Sequence, residues 1–154
     1  MGIPFDYYEH PEAPTIEVAA RFYRGEGTTL CKNLFFRNHK GNRHYLVIMD
    51  SRHAMDIHDM EHRLQQGKLS FASPERMMRY LGVRPGSVSL FTLVNDVNHE
   101  VFLFVDSHLL DAEKVSFHPN DNHASLVISR DDMLRFIKEI GNPYEVTDLY
   151  DTKG

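Results

Sequence analysis

The sequence contains one cysteine, no long apolar run and no excess of basic residues. A single cysteine cannot form an internal disulfide, which suits a protein of the reducing cytoplasm. The longest apolar runs are only a few residues, well short of the roughly 20 needed to cross a bilayer. The N-terminus lacks the basic and apolar regions of a signal peptide. We therefore expect a cytoplasmic protein without a membrane partner.

The charge balance limits the class of partner. Asp and Glu total 22 against 17 Lys and Arg, so the formal net charge is −5. Proteins that coat nucleic acid non-specifically are usually basic, so the negative net charge disfavours that class. It does not exclude a local basic patch. The 154 residues fit one compact domain, residues 1–154, with a real hydrophobic core.

Hydrophobic periodicity and turn residues predict an α+β domain built on a mixed, largely antiparallel sheet flanked by helices. Two apolar runs around a short Lys-Gly-Asn turn predict a first β-hairpin, over 31–38 and 44–50. A second hairpin is predicted over 87–96 and 100–106. Capping residues and glycine stops predict helices over 15–25, 56–67, 73–82 and 129–141. Short strands are predicted at 69–72, within 108–119, at 124–129 and, as an extended piece, at 142–149.

Two segments share a Gly-x-Pro-aromatic-acidic pattern, residues 2–9 ("GIPFDYYE") and 141–148 ("GNPYEVTD"). Strands at the two edges of the sheet would explain the likeness. The pattern is therefore interpreted as two edge strands, and no repeat is inferred from it.

The first candidate for chemistry is a metal site. His58 and His62 are spaced i, i+4 on a predicted helix, so both rings could face one ion. Two histidines still need a third ligand, and the segment has no His-Glu-x-x-His motif. A polar helix face opposite Ile57, Met60 and Leu64 explains the same residues, and we expect that arrangement and no metal.

Cys31 is the second candidate, because a cysteine beside Lys32 could ionise and act as a nucleophile. A lone cysteine at a strand start is more often a small packed residue. The chain has no Gly-x-Ser-x-Gly elbow to supply a serine instead. We expect Cys31 to be structural.

Two loops are further candidates. Backbone N–H groups in the turn around Gly86 could hold an anion or an oxyanion, but on this segment alone we favour a plain turn between helix and strand. The loop over 117–125 ("FHPNDNHAS") crowds polar residues between two apolar strands. Such loops often carry sites, and they are also often plain polar connections.

Together these segments resemble a known family. "CKNLFFRNHKGNRHYLVIMD", "KLSFASPERMMRYLGVRPGSVSLFTLVND" and "VSFHPNDNHASLVIS" occur in the order found in the YbaK/ProX family, and they are most similar to its stand-alone prolyl-tRNA editing branch. The resemblance runs from about residue 3 to about residue 150. It implies a single domain with a barrel-like mixed sheet. It also implies hydrolysis of the ester in a mischarged tRNA, chiefly alanine attached to proline tRNA.

The resemblance also implies the site. The family's Lys-Asn pair matches Lys32 and Asn33, its glycine loop matches 86–90, and its His-Pro-x-x-Asn segment matches 118–122. Leu90 stands where many relatives have proline, which affects loop rigidity and the choice of amino acid. The implied catalytic residues are Lys32, Gly86 and His118. The implied substrate-binding residues are Asn33, Ser87, Val88, Ser89, Leu90 and Asn122.

In this scheme Lys32 meets the terminal adenosine or its phosphate, and the Gly86 loop donates N–H groups to the ester carbonyl. His118 and Asn122 hold the attacking water, which a free ribose hydroxyl of the substrate helps to orient. No metal, no cofactor and no covalent enzyme intermediate are expected. The implied partners are mischarged proline tRNA and, in addition, prolyl-tRNA synthetase.

Basic residues form two groups that could meet acceptor-stem phosphates. One lies on the first hairpin and the other near the glycine loop. Solvated surface charges explain any single one of them equally well. They are Arg37, His39, Lys40, Arg43 and His44 in the first group, and Arg76, Arg79 and Arg84 in the second.

Two other functions compete with this one. A domain of the same fold could sense an amino acid or an aminoacyl group without turnover, although the presence of Lys32, Gly86 and His118 disfavours this. A metal-dependent hydrolase using His58 and His62 is the third choice.

Overall fold

The computed structural model describes residues 6–9, 28–84, 88–117 and 124–149. Within these ranges lie eight strands, three α-helices and two 3-10 helices. The strands are β1 (Asp6–Glu9), β2 (Thr28–Asn38), β3 (His44–Asp50), β4 (Leu69–Phe71), β5 (Val101–Asp106), β6 (Lys114–Phe117), β7 (Ala124–Ser129) and β8 (Tyr144–Thr147). The helices are α1 (Ile57–Leu64), α2 (Pro74–Leu81) and α3 (Arg130–Ile140), with 3-10 helices η1 (Leu90–Asn95) and η2 (Ser107–Asp111). No helix in the described ranges is long and apolar enough to cross a membrane.

The strands form one mixed sheet in the order β1-β7-β6-β2-β3-β5-β8, with β4 paired to β2. Four pairings are antiparallel (β1·β7, β2·β3, β2·β4, β6·β7) and three are parallel (β2·β6, β3·β5, β5·β8). The predicted α+β class, with a mixed and mostly antiparallel sheet beside helices, is confirmed.

The two ends of this strand order are β1 and β8. Each lies within one of the two segments that share the Gly-x-Pro-aromatic-acidic pattern. The prediction that this pattern marks two edge strands is confirmed.

Capping explains where the helices begin and end. The side chains of Asp56, Ser73 and Ser129 accept hydrogen bonds from backbone N–H groups in the first turns of α1, α2 and α3. Gly82 and Gly141 end α2 and α3 with positive φ angles of 68° and 83°, a conformation that costs glycine little. The predicted boundaries of these two helices are therefore confirmed, whereas the helix predicted over 15–25 lies outside the described residues.

The predicted second hairpin is wrong. Its first arm is the 3-10 helix η1, in which the hydroxyl and the N–H of Thr92 both donate to the carbonyl oxygen of Ser89. Its second arm, β5, pairs in parallel with β3 instead. A short apolar run does not distinguish a buried strand from a buried helical segment by its periodicity, and this run packs against α2.

Side chains alternate across β2 and β3 and divide the core between the two faces of the sheet. On one face Cys31, Phe35 and Ile48 pack with residues from α2, η1 and α3. On the other face Phe36 and Met49 pack with residues from α1. We refer to these as the α2/α3 face and the α1 face.

His44 fastens the first hairpin to α2. It is 2% exposed, and its ring lies 5.7 Å from the ring of Phe35 and 4.0 Å from that of Tyr80, centroid to centroid. Nη1 of Arg76 lies 2.9 Å from His44 Nε2 and also donates to the carbonyl oxygen of Gly41 at 2.8 Å. A guanidinium can only donate, so Nε2 accepts and the imidazole is neutral. Burial, followed by the charges of Arg76, Arg79 and Arg37, lowers the pKa of His44 to about 4.

This depressed pKa predicts acid sensitivity. Between the ordinary value of 6.5 and about 4, the unfolded chain binds a proton at His44 that the folded chain does not. Folding stability is therefore fully present above pH 6.5 and declines as the pH falls toward 4. Urea unfolding at pH 7.0, 5.5 and 4.5 measures the decline, and His44→Gln, which keeps an acceptor for Arg76, should flatten it. The exposed His62→Gln is the matched control and should decline as the wild type does. A constant difference between wild type and His44→Gln at all three pH values would contradict the assignment.

Candidate functional site

The first residues of β2 lie at a polar edge of the sheet. Because β2 and β3 are antiparallel, the start of β2 lies beside the end of β3, where Cys31 faces Asp50 in the register. Strand β5 is parallel to β3 and ends at Asp106, at the same edge. This edge therefore gathers charged side chains from segments far apart in sequence.

Lys32 is held in place at this edge. Its side chain is partly buried, and Nζ donates to the backbone oxygen of His53, in the connection between β3 and α1. Desolvation lowers the pKa of the Lys32 ammonium, and the negative charge of Asp50 opposes that shift. The predicted site lysine is thus anchored and has a buried carboxylate in its surroundings.

Asp50 is itself bound by Arg52. Its Oδ1 accepts from the Arg52 backbone N–H at 2.9 Å, and the guanidinium Nη2 lies 2.7 Å from Oδ2. Burial alone would raise the pKa of Asp50, but the hydrogen bonds and charge of Arg52 outweigh it and hold the pKa below its ordinary value. The carboxylate therefore stays ionised near Lys32 at neutral pH.

Asp106 repeats this arrangement one strand away. It is fully buried, and its Oδ1 lies 3.3 Å from the backbone N of His108 and 2.7 Å from His108 Nδ1. The same oxygen accepts from the N–H of Leu149 at 3.3 Å. Sequence reasoning missed both aspartates. The signal was present, since β3 and β5 both end in Asp-Ser followed by a basic residue or histidine ("DSRH" and "DSH").

Lys32 and Asn33 point to opposite faces of β2, as adjacent strand residues do. Lys32 faces Met49 across the β2·β3 pairing, on the α1 face. Asn33 faces Ile48, on the α2/α3 face. The structure does not bring these two predicted side chains together on one side of the sheet.

The α2/α3 face does bring the three motif segments together. Cys31 and Phe35 from the first, Val88 and Leu90 from the second, and Phe117 from the third belong to one core cluster. The ring of Phe91, next to Leu90, meets the ring of Phe117 edge-on at 5.4 Å. Asn33, between Cys31 and Phe35, thus lies on the face where the segments converge.

Three polar atoms on these segments are buried and have no hydrogen-bond partner among the described residues: Asn33 Oδ1, Ser89 Oγ and Ser116 Oγ. An unpaired buried polar group costs roughly 1–3 kcal/mol and is worth explaining by function. Val88 and Leu90 on either side of Ser89 are packed in the core. Gly86, Ser87, His118 and Asn122 lie outside the described residues.

The other candidates are placed as follows. Cys31 is 1% exposed, and burial, together with the charge of Asp50, raises the pKa of its thiol well above the ordinary range. A protonated, buried thiol is a poor nucleophile, as expected of a structural cysteine.

The two histidines of the candidate metal site, His58 and His62, are exposed on α1, and His58 Nδ1 lies 3.3 Å from Glu61 Oε1. Within the described ranges no three potential metal ligands come together.

Comparisons with known proteins identify the family of the chain. A family model described as the aminoacyl-tRNA editing domain matches residues 10–136. The prolyl-tRNA editing protein ProX of Acetoanaerobium sticklandii is 35% identical to the chain, covering 97% of it and 91% of that protein. Prolyl-tRNA synthetase associated domain-containing protein 1 of Mus musculus is 31% identical, covering 92% of the chain and 86% of that protein.

A solved structure shows the same fold. It is described as a candidate trans-editing enzyme for prolyl tRNA synthetase, and it matches with a TM-score of 0.71 at 22% identity over 94% of this chain and 86% of that one. The resemblance inferred from the three motifs is thereby confirmed, and the chain belongs to the aminoacyl-tRNA editing domain family.

Proposed function

We propose that this protein is a trans-editing aminoacyl-tRNA deacylase that removes alanine from mischarged proline tRNA. The observation that carries the proposal is the convergence of the three motif segments on the α2/α3 face, in a chain that belongs to an editing family. The names of the relatives, which refer to prolyl-tRNA editing and to prolyl-tRNA synthetase, support proline tRNA as the substrate and the synthetase as a partner.

A second hydrolytic site is useful for this pair of amino acids. Alanine is smaller than proline, and a missing methylene in an apolar pocket discriminates by only about 1–3 kcal/mol. A synthetase that fits proline therefore admits alanine at a low frequency. A small editing pocket can then accept alanine and exclude proline by size.

Lys32 is proposed to bind the phosphate or the sugar of the terminal adenosine. Its anchoring by the His53 carbonyl limits the rotamer freedom that a surface lysine would lose on binding. Asp50, neutralised by Arg52, keeps the surroundings of Lys32 from becoming strongly anionic. Lys32 can therefore position the substrate electrostatically without transferring a proton.

Asn33 and the segment from Ser87 to Leu90 are proposed to bind the amino acid. The unpaired Asn33 Oδ1 can accept from the substrate ammonium, and the Ser89 hydroxyl can bond a second polar group of the aminoacyl end. The packed side chains of Val88 and Leu90 set the volume of the pocket. These contacts would favour a small aminoacyl group.

The hydrolysis needs little protein chemistry, because an aminoacyl ester is already activated. Water attacks the carbonyl carbon, the bond from that carbon to the ribose oxygen breaks, and that oxygen takes the proton. Backbone N–H groups around Gly86 are proposed to stabilise the carbonyl oxygen as it gains charge. His118 and Asn122 are proposed to hold the water, which a ribose hydroxyl orients. Positioning and electrostatics supply the rate, with no metal and no covalent intermediate.

The first test is deacylation of proline tRNA charged separately with alanine, cysteine and proline. The wild type should remove alanine and spare proline. Lys32→Ala should lower kcat/KM for the alanine ester by about 100-fold, the size expected for losing one hydrogen bond to a charged group of the substrate. Lys138→Ala, an exposed lysine on α3, is the matched control and should act as the wild type does.

The outcomes separate the competing functions. No turnover of any charged tRNA by the wild type would contradict the proposal and favour a ligand-sensing domain. Loss of activity on chelation, restored by a divalent metal, would favour a metal-dependent hydrolase instead. Near-full activity of Lys32→Ala would be consistent with the deacylase activity but would contradict the role proposed for Lys32.

Cys31 should be dispensable for the reaction. Cys31→Ala is expected to deacylate within about threefold of the wild type, because a buried, protonated thiol takes no part in attack. The native protein should resist an aromatic disulfide reagent and react once unfolded in urea. Rapid labelling of the native protein, or loss of turnover in a folded Cys31→Ala protein, would instead make Cys31 a nucleophile.

Ser89→Ala should separate stability from function. Removing a buried hydroxyl without a partner should leave the free energy of unfolding unchanged or raise it by up to about 1 kcal/mol. Deacylation of the alanine ester should fall up to about tenfold, the value of roughly one hydrogen bond to a polar group. Thermal unfolding and single-turnover deacylation measure the two effects. An inactive variant that is also strongly destabilised would show that Ser89 is structural.

A further inference from the structure

The tip of the first hairpin forms one wall of a basic groove. The groove has a volume of about 410 Å³ and lies between the hairpin and the connection from α1 to β4. Lys40 and Arg43 stand on the hairpin wall and Lys68 on the opposite wall. None of the nine described residues that line it is acidic. A protein of net charge −5 thus concentrates positive charge at one place.

The surrounding sequence keeps acidic groups away. Residues 27–49 contain no Asp or Glu. Lys40 and Arg43 form no ion pair with the residues that the structure describes. Lys68 has Glu61 in its neighbourhood, but the Glu61 oxygens are engaged by the N–H of Leu69 at 2.7 Å and by His58. The positive charge of the groove is therefore available to a ligand.

The walls of the groove are preorganised. Asn38 Oδ1 accepts from the backbone N–H groups of Asn42 and Arg43 at 3.1 and 3.2 Å, which fixes the turn. Across the groove, the Tyr45 hydroxyl donates to Gln66 Oε1 at 3.2 Å and joins the two walls. Cations on rigid walls lose less conformational freedom on binding than cations on loose loops.

The composition of the groove fits phosphate. Lysine and arginine together with the amides of Asn42 and Gln66 and the hydroxyl of Tyr45 are the groups that contact nucleic-acid phosphates and sugars in protein complexes. The groove offers little for stacking an unpaired base, because Tyr45 is packed in the core and the imidazole of His39 is the other ring among the described lining residues. These features favour the backbone of a duplex over a single strand.

The position of the groove fixes which part of the RNA can reach it. Lys32 and Asn38 point to the same face of β2, six residues apart, which is about 20 Å at about 3.3 Å per residue. A base-paired strand advances about 3.4 Å per nucleotide in duplex DNA and less in A-form RNA, so at least about six nucleotides separate the two places. The unpaired nucleotides at the 3′ end of a tRNA, stacked on the stem, end short of the groove, whereas the acceptor-stem duplex reaches it.

We propose that this groove is a second RNA contact that grips the phosphate backbone of the acceptor-stem duplex while Lys32 holds the terminal adenosine. The inference rests on the proposed function for its ligand. In this proposal Lys40, Arg43 and Lys68 contribute to the affinity for RNA and take no part in the hydrolysis.

Binding of uncharged RNA tests the groove independently of catalysis. The probes are an acceptor-stem minihelix of proline tRNA and its 3′-terminal trinucleotide, titrated at several salt concentrations. Lys40→Ala combined with Lys68→Ala should bind the minihelix about tenfold more weakly at low salt, and the slope of log affinity against log salt should fall by about 1.5. Its affinity for the trinucleotide should equal that of the wild type, because that probe does not extend to the groove.

The matched control is Arg135→Ala combined with Lys138→Ala. It removes the same charge from α3, across the sheet from the groove, and should leave the affinity and the salt slope at wild-type values. An equal loss in both double variants would attribute binding to net charge and overturn the proposal. So would unchanged minihelix binding by the groove variant. An acidic peptide of matched charge that displaces the minihelix with equal affinity would overturn the assignment to RNA.

Deacylation measured on the same proteins separates the two proposals. A wild type that hydrolyses no charged tRNA, yet binds the minihelix through the groove, would overturn the proposed function and support the RNA contact. If the wild type deacylates fully and the groove variant binds the minihelix with unchanged affinity, the proposed function is supported and the RNA contact is overturned.

Discussion

The pairing of β2 with three other strands is the interaction on which the rest of the structure depends. Its first residues pair in parallel with β6, its middle pairs with β3, and its last residues also pair with β4. The strand therefore connects both halves of the sheet and carries Lys32 and Asn33 at the point where its pairing changes from β6 to β3. Both residues are paired with β3, Lys32 with Met49 and Asn33 with Ile48, so the directions of these two side chains are set by that ladder.

Buried carboxylates reinforce the same edge. Asp50 and Asp106 end two neighbouring parallel strands, and each bonds the residue two positions later. A buried carboxylate is costly unless it is paired, and Arg52 and His108 supply the pairing. The result is a charged rim along the edge of the sheet at which Lys32 lies, with Asp50 acting on Lys32 directly.

Much of the fold could be predicted from the sequence, because its signals are local. Ser73, Pro74 and Gly82 mark both ends of α2, and the Lys-Gly-Asn turn marks the first hairpin. The segment from Val88 to Asp96 was misassigned because its apolar residues fit a strand and a buried helical turn equally well. What decided it was packing against α2, together with two hydrogen bonds from Thr92 to Ser89, and neither is visible in the sequence.

The candidate site was only partly predictable for a similar reason. Lys32 and Asn33 were found by resemblance, but their opposite directions follow from the strand geometry alone. The roles of Asp50 and Asp106 depend on parallel pairing between β3 and β5, which joins residues more than fifty positions apart. The role of a charged residue at a strand end can be assigned only when its neighbours in space are known.

The opposite directions of Lys32 and Asn33 have a consequence for how such a domain can diversify. In the proposed scheme one face of β2 handles the nucleic acid, through Lys32 and the basic groove, and the other face handles the amino acid. Substitutions on the α2/α3 face could then change which amino acid is removed without altering the grip on RNA. Adjacent positions in one strand would thus be free to evolve independently, since the backbone that separates them transmits neither change.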